Sequence, residues 1–589
     1  MKEYFAHRDE NGNLQSLSNH LDAVAKLTAE FAAPFRSSEY GAIAGFLHDL
    51  AKATDGFDKR LFQNGPKVDH STFGAQVLDR KGARILGYVV AGHHGGMPDG
   101  GSVTSPENGV LAKRLQKEVP PCNGEYKKYL DFSLPKTIPL SFTPGFLGFA
   151  RAFWVRMLFS CLVDADFLDT ELFMLGKQPR GGYATIAAMQ SSLHQYVQQF
   201  SQPKTKVHQI RTEILNACKT GAQQSPGLFT LTVPTGGGKT ISSLSFAMDH
   251  ALAHNMRRII YCMPYTSIIE QNGAVFQSIV GSRNVLMHYA DAFTKEISSG
   301  GEADFDDYDG KRQKLSAENW DSHLIITTNV QFFESLFAYK PSKCRKLHRI
   351  ANSVIVLDEA QMLPRNYMKP VIRALEELCI NYGCTVLMMS ATQPSLNRFY
   401  TAKLPVRELN PIVKDSFQDL RRVQIKHMGS ASLQELATKL ASHKQAFCIV
   451  NTKRRARELY ELLPSENTFH LSTLMLPSDR EQTLETIRQH LREGLPCRVV
   501  ATSMIEAGVD FDFPVGYREE AGLDSIIQAA GRVNREGKRS TSESYLHVFQ
   551  CAEHTLRGEI RQAALISNRV FEQYNDVTST EAIKAYFDI

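Results

Sequence analysis

The sequence predicts a multidomain chain of mixed class, an all-helical first part followed by two successive α/β units, and three observations predict it. The chain has 589 residues, well beyond the roughly 100–200 residues of one domain, so three or more cores are expected. Up to about residue 190 apolar residues recur at helical spacing, with polar or Gly/Pro-rich joints at 95–107 and 118–126. From about residue 205 the texture changes to short β-rich apolar runs that alternate with helical patterns and end in polar residues. That is the pattern of buried parallel strands, whose carboxyl edge is where such sheets bind ligands.

In chain order, LSNHLDAVAKLTAEFA (17–32) and FWVRMLFSCLVDADFLDTELF (153–173) predict helices of the first part. LFTLTVP (228–234), RRIIYCMP (257–264), HLIITT (323–328), SVIVLDEA (353–360) and TVLMMSAT (385–392) predict the strands of the first α/β unit. QAFCIVNT (445–452), CRVVATS (497–503) and YLHVFQ (545–550) predict those of the second. TKEISSGGEADFDDYDGKRQK (294–314) is polar and Gly-rich and is expected as a mobile surface loop. The division expected is 1–190, 191–410, 411–550 and a short tail, 551–589.

Composition narrows the function classes. Lys and Arg number 67 against 62 Asp and Glu, a net charge of +5, too mild to demand or to exclude nucleic acid. Ten cysteines without a CxxC spacing argue against a zinc finger and a disulfide framework, so a reducing cytoplasmic compartment is expected. The N-terminal residues have no signal-peptide pattern, and no window reaches the roughly 18–20 apolar residues of a membrane span.

The first chemical signal is a set of histidines and aspartates. His48-Asp49 lies in the helical pattern GAIAGFLHDLAK, where neighbours point about 100° apart and share a site only at a helix edge. His20, His70, His93, His94, Asp164 and Asp166 accompany it. Any one of these histidines reads equally well as a satisfied core residue, but five with carboxylates suffice for two metal centres. Imidazole favours transition metals over a purely oxygen-ligated Mg site.

The second signal is PTGGGKT at 234–240, between an apolar strand and a helix-like run. In that context Thr235, Gly236, Gly237 and Gly238 form a phosphate cradle, Lys239 contacts the β/γ-phosphates and Thr240 holds Mg²⁺. Val233 stands where the strict GxxxxGK pattern has its first glycine. Asp358 and Glu359, at the end of VIVLDEAQ (354–361), fit Mg²⁺ coordination and orientation of the attacking water. Gln528, Arg532 and Arg535 are expected on one helix, where i, i+4 and i+7 share a face.

The order H…HD…H…HH…D resembles the HD phosphohydrolase superfamily. The resemblance implies His20, His48, Asp49 and Asp166 around one metal and His70, His93 and His94 around a second, with Asp49 bridging. Asp166 is preferred to Asp164, and Lys52 would help to position a phosphate. Two such metals activate water and stabilise the departing oxygen in phosphodiester hydrolysis.

The second half resembles superfamily 2 helicases with two RecA-like domains. YCMPYTSIIEQN (261–272) and ITTNVQFFESL (326–336) look like segments that grip a nucleic acid backbone, and SAT (390–392) follows the Asp-Glu pair. FCIVNTKRRARELY (447–460), ATSMIEAGVDFDFP (501–514) and IIQAAGRVNREG (526–537) look like their counterparts in the second domain. The implied role of Arg532 and Arg535 is arginine-finger contact with ATP.

Together the two halves resemble the CRISPR-associated HD nuclease-helicase of type I systems, especially the type I-C branch. The resemblance implies ATP- and Mg²⁺-dependent 3′-to-5′ movement on single-stranded DNA, and cleavage by two divalent transition metals such as Mn, Fe, Co or Ni. It further implies recruitment by an RNA-guided surveillance complex that has opened an R-loop, and action as a monomer without a membrane. Family members continue past the last helicase motif into an accessory domain, whereas about fifty residues follow Gly537 here, so that domain is expected to be missing or truncated. Two rivals are an HD nucleotide phosphohydrolase with a regulatory ATPase and an RNA helicase with a structural HD domain.

Overall fold

The structure is a computed structural model that describes residues 2–107, 109–200, 205–290, 308–402, 404–506, 508–553 and 555–589. It opens with an antiparallel hairpin of β1 (Phe5–Arg8) and β2 (Leu14–Ser16), which leads into the helix Leu17–Ala32. Ser16 starts that helix because its hydroxyl accepts the Asn19 N–H, one of the amides a first turn leaves orphaned. The helices Ser38–Leu47, Ser71–Arg80 and Arg84–Gly92 complete a bundle around the long helix Leu147–Leu175.

The long helix spans 29 residues and is buried on opposite sides. One side meets the bundle. The other meets the first α/β unit: Ser160 Oγ donates to Cys344 O at 2.5 Å, and Arg156 Nη1 to Ala338 O at 2.5 Å. The apolar core is continuous across this boundary, with Phe35 and Phe153 at 5.5 and 5.4 Å from the Tyr382 ring. A helix apolar all round needs two such partners.

The first sheet has seven parallel strands: β3 (Leu228–Thr232), β4 (Arg258–Met263), β5 (Val285–His288), β6 (Leu324–Thr328), β7 (Ser353–Asp358), β8 (Thr385–Ser390) and β9 (Val406–Glu408). Their order is β5-β6-β4-β7-β8-β3-β9. The five runs read from the sequence are the interior strands, and the two missed, β5 and β9, are the short edges. The second sheet holds β10 (Gln424–Ala431), β11 (Gln445–Ile449), β12 (Thr468–Leu471), β13 (Cys497–Ala501), β14 (Val515–Glu519) and β15 (Tyr545–Cys551) in the order β10-β15-β14-β11-β13-β12.

Strand β14 is central yet illegible in the sequence, because Arg518 and Glu519, 2% and 1% exposed, interrupt its apolar run. Both charges are met inside: Arg518 Nε lies 2.8 Å from Glu506 Oε1, and Glu519 Oε2 accepts the Asn451 N–H at 2.6 Å. Of the expected loop 294–314, residues 294–307 lie outside the described residues. Residues 308–314 are a correction, since they begin the helix Tyr308–Asn319. The residues after β15 form helices Gly558–Gln573 and Thr580–Asp588, whose Val570, Ile583 and Tyr586 pack on Leu523 and Ile527. No described helix is long and apolar enough to cross a membrane.

Candidate active sites

Helix ends build most of the first site. His20 projects from within Leu17–Ala32, His70 precedes Ser71–Arg80, and His93 and His94 follow Arg84–Gly92. His48 and Asp49 were expected inside a helix, but that helix ends at Leu47 and a single tight turn, Leu50–Lys52, follows. Asp166 comes from the middle of the long helix.

Two groups of donor atoms result, each within 4.8 Å: Asp49, His70, His93 and His94, and His20, His48, Asp49 and Asp166. Asp49 belongs to both. Its Oδ1 lies 3.1 Å from His93 Nε2 and 3.4 Å from His70 Nε2, and its Oδ2 lies 3.4 Å from the Nε2 of both His20 and His48. His94 Nε2 is 4.0 Å from Oδ1, and Asp166 Oδ1 is 3.6 and 3.7 Å from His20 and His48.

The hydrogen bonds of these rings decide what the groups can hold. Each Nδ1 has its own acceptor: Asp169 Oδ2 for His20 at 2.6 Å, Gly45 O for His48 at 2.7 Å, Val68 O for His70 at 3.1 Å and Val90 O for His93 at 2.7 Å. A proton held on Nδ1 by such a bond leaves Nε2 facing inward, where those of His20 and His48 stand 3.2 Å apart. Burial would lower His20 and His93, but with no cation between them the nearby carboxylates draw protons onto both rings and raise them above the usual imidazole range. The buried Nε2 of His70 makes no hydrogen bond among the described residues. Lone pairs converging on carboxylate oxygens repel unless cations lie between them, so this donor set fits divalent transition metals.

Burial alone would raise the Asp49 carboxyl, but Lys52 and the imidazoles hold it well below the usual range, so it is a carboxylate. Lys52, expected at a phosphate, is 3% exposed and sits 2.6 Å from Asp49 Oδ2, with the Ala6 carbonyl as a further partner at 3.4 Å. Asp164 does not join either group. Its carboxylate faces the α/β unit, accepting from Arg345 Nε at 3.0 Å and Asn319 Nδ2 at 3.1 Å. The sequence reading missed Asp169, which fixes the His20 ring. Its signal was present in LVDADFLDTE, where it stands one helical turn after Asp166.

The second site lies between the two sheets. The loop after β3 turns at Gly236 and Gly238, with φ of 82° and 88°, conformations that favour glycine. A Cβ on Gly237 would stand 2.4 Å from Val233 Cγ1, so that position is closed to side chains. Lys239 opens the helix Lys239–Ala253 and pairs with Glu359 Oε1 at 3.0 Å. Asp358 ends β7, and burial, together with the charge of Glu359, pushes its carboxyl up to about 7 despite Lys239. Burial would also raise Glu359, but Lys239 and a hydrogen bond from Gln361 hold it low. Thr235, Gly236, Gly238, Lys239, Thr240, Asp358 and Glu359 line one pocket with Gln528, Arg532 and Arg535 of the second unit.

The expected single helix for these last three is corrected. It ends at Ala530, so only Gln528 is helical, and Arg532 and Arg535 follow in a loop that Val533 ties to Phe513. The guanidinium groups of Arg532 and Arg535 donate to the backbone oxygens of Ile505 and Val509, respectively, at 3.0 and 2.8 Å, and face the pocket from there.

Three family models match in the order of these units: the HD domain over residues 17–128, the DEAD/DEAH box helicase over 209–399, and the C-terminal part of the CRISPR-associated nuclease/helicase Cas3 over 442–538. In all three units the chain is similar to the CRISPR-associated HD nuclease-helicase family. A nuclease/helicase Cas3 of Haloferax volcanii is 26% identical over 428 residues, covering 54% of this chain and 45% of that protein. One from Methanothermobacter thermautotrophicus is 24% identical over 340 residues, covering 54% and 39%. The aligned regions thus span about half the length of these relatives or less. The crystal structure of T. fusca Cas3 superposes with a TM-score of 0.64 at 14% identity, over 99% of this chain and 81% of that one. A structure titled CRISPR RNA-guided surveillance complex, pre-nicking, gives 0.58 at 16% identity, over 100% and 80%. At these identities the likeness shows the fold.

Proposed function

We propose that the chain is an ATP-driven translocase on single-stranded DNA whose helical unit is a metal-dependent DNA nuclease. The observation that carries this reading is the pair of donor groups sharing Asp49, packed through one continuous core against a phosphate-binding sheet. We read residues 1–190 as the nuclease unit, 191–410 and 411–550 as the two motor units, and 551–589 as a short C-terminal segment.

In the nuclease unit His20, His48, Asp49 and Asp166 would hold one cation, and His70, His93, His94 and Asp49 the other. Two divalent transition cations, Mn, Fe, Co or Ni, supply water activation and polarisation of the phosphoryl group when bound. Lys52 fixes the Asp49 carboxylate, and the Nδ1 acceptors keep each imidazole turned inward. In the motor, Thr235 to Gly238 cradle the phosphates of ATP, and Lys239 exchanges Glu359 for the β/γ-phosphates. Thr240 and Asp358 hold Mg²⁺, and Glu359 orients water. Gln528, Arg532 and Arg535 enter from the other sheet, so hydrolysis is linked to the relative position of the two sheets.

The resemblance to that family supports 3′-to-5′ movement, recruitment to an R-loop opened by an RNA-guided surveillance complex of type I-C kind, a monomeric state and a cytoplasmic location. The test supplies Mn²⁺ with single-stranded DNA and, separately, with dNTPs, and follows ATPase with DNA or RNA. The expected result is cleavage of the DNA and stimulation of ATPase by DNA. Cleavage of dNTPs without DNA would overturn the nuclease reading, and stimulation by RNA alone would overturn the DNA motor.

A further inference from the structure

We propose that His7, carried by the N-terminal hairpin, donates a hydrogen bond to the phosphate of the phosphodiester bound in the nuclease site. This inference rests on the nuclease reading. The hairpin lies before residue 17, where the match to the HD domain begins, yet it meets the donor groups or the residues that hold them at three places. The Ala6 carbonyl accepts from Lys52 Nζ at 3.4 Å. The His7 ring stands edge-on to His20, with centroids 4.9 Å apart and planes at 83°. Gln15 Nε2 donates at 2.8 Å to Asp169 Oδ2, the oxygen that fixes His20 Nδ1.

Accessibility says where a substrate enters. The side chains of His20, His48, Asp49 and His93 are closed to solvent, at 0% exposure. His94, with 51% of its side chain exposed, marks the opening beside one donor group. His7 is half-buried and stands beside the other, next to His20. A phosphate spanning both groups therefore lies between His94 and His7.

The chemistry of that edge selects His7 over the lysine. Lys52 is buried and held on Asp49 at 2.6 Å, so its ammonium already serves a carboxylate. Among the described residues, His7 Nε2 has only a long contact of 3.4 Å to Thr170 Oγ1, on the helix that carries Asp166. A bond of that length exchanges readily for a shorter one to an anionic oxygen, and hydrogen bonds to charged acceptors are the stronger kind.

The test uses the full chain loaded with Mn²⁺ and its His7→Ala and His7→Gln variants. Substrates are bis(p-nitrophenyl) phosphate and a short single strand, and inorganic phosphate binding is measured by calorimetry. For His7→Ala, KM and the phosphate Kd are expected to rise about tenfold to a hundredfold. Bound Mn²⁺ and ATPase should stay unchanged, and His7→Gln, which keeps an N–H donor, should recover most of the loss. Unchanged KM and Kd would overturn the proposal. So would a defect that excess Mn²⁺ repairs, since His7 would then only support His20. If the wild type cleaves neither phosphodiester, the nuclease reading itself fails, and equal phosphate binding by wild type and His7→Ala still overturns the role given to His7.

Discussion

The two sites are built on opposite plans. The metal site is closed within one unit: His20, His48, Asp49 and His93 are 1% exposed or less, and their rings are held by hydrogen bonds from that same unit. The nucleotide site is open and shared, with its cradle on the first sheet and Arg532 and Arg535 on the second. A closed site is ready whenever its cations are present. A shared one is complete only when two bodies are correctly placed, which suits a motor.

Reciprocal substitutions give the largest expected effects. Asp49→Ala removes the ligand common to both donor groups and should lower DNA cleavage at least about a thousandfold with DNA-stimulated ATPase retained. Lys239→Ala should lower ATPase by about a hundredfold or more and leave Mn²⁺-dependent cutting of free single strands in place. Loss of both activities in either variant would break the contrast between an autonomous site and a shared one.

A smaller effect is expected one step behind the ligands. Asp169→Asn weakens the hold on His20 and should reduce cation affinity about 10- to 100-fold, read by metal titration, with ATPase unaffected. The smallest effect on chemistry belongs to Asp164, which joins the two regions instead of serving either. Asp164→Asn removes one of the two carboxylates on the buried Arg345, which keeps Glu318 at 2.9 Å, and should cost about 1–3 kcal/mol in urea unfolding, with bound Mn²⁺ unchanged. Loss of cations from that variant would return Asp164 to the ligand set.

Much of the site was legible because its chemistry uses rare residue types in order. His20, His48, Asp49, His70, His93, His94 and Asp166 are far apart in sequence, and the fold brings them within the two donor groups. Asp169 escaped because it acts through an imidazole nitrogen, and nothing in its residue type separates a second carboxylate on a helix from a solvated one. Three of the missed strands divide by cause. Edge strands β5 and β9 are too short to show a period, whereas β14 hides behind buried charges whose partners come from distant segments.

The sequence by itself determined the class of each unit, because apolar period and glycine placement are local properties that any chain of this pattern obeys. It also pointed to the two proposed chemistries, because imidazole-rich and phosphate-cradling segments have few other uses together. Only the tertiary structure decided between Asp164 and Asp166. Residues two apart on a helix point roughly 200° apart, so one must face the histidine cluster and the other the α/β unit, and the packing of the long helix chose which. It likewise ended the helix at Ala530 and held Arg532 and Arg535 on a loop, since the Val533 bridge to Phe513 is a long-range contact that no local pattern encodes.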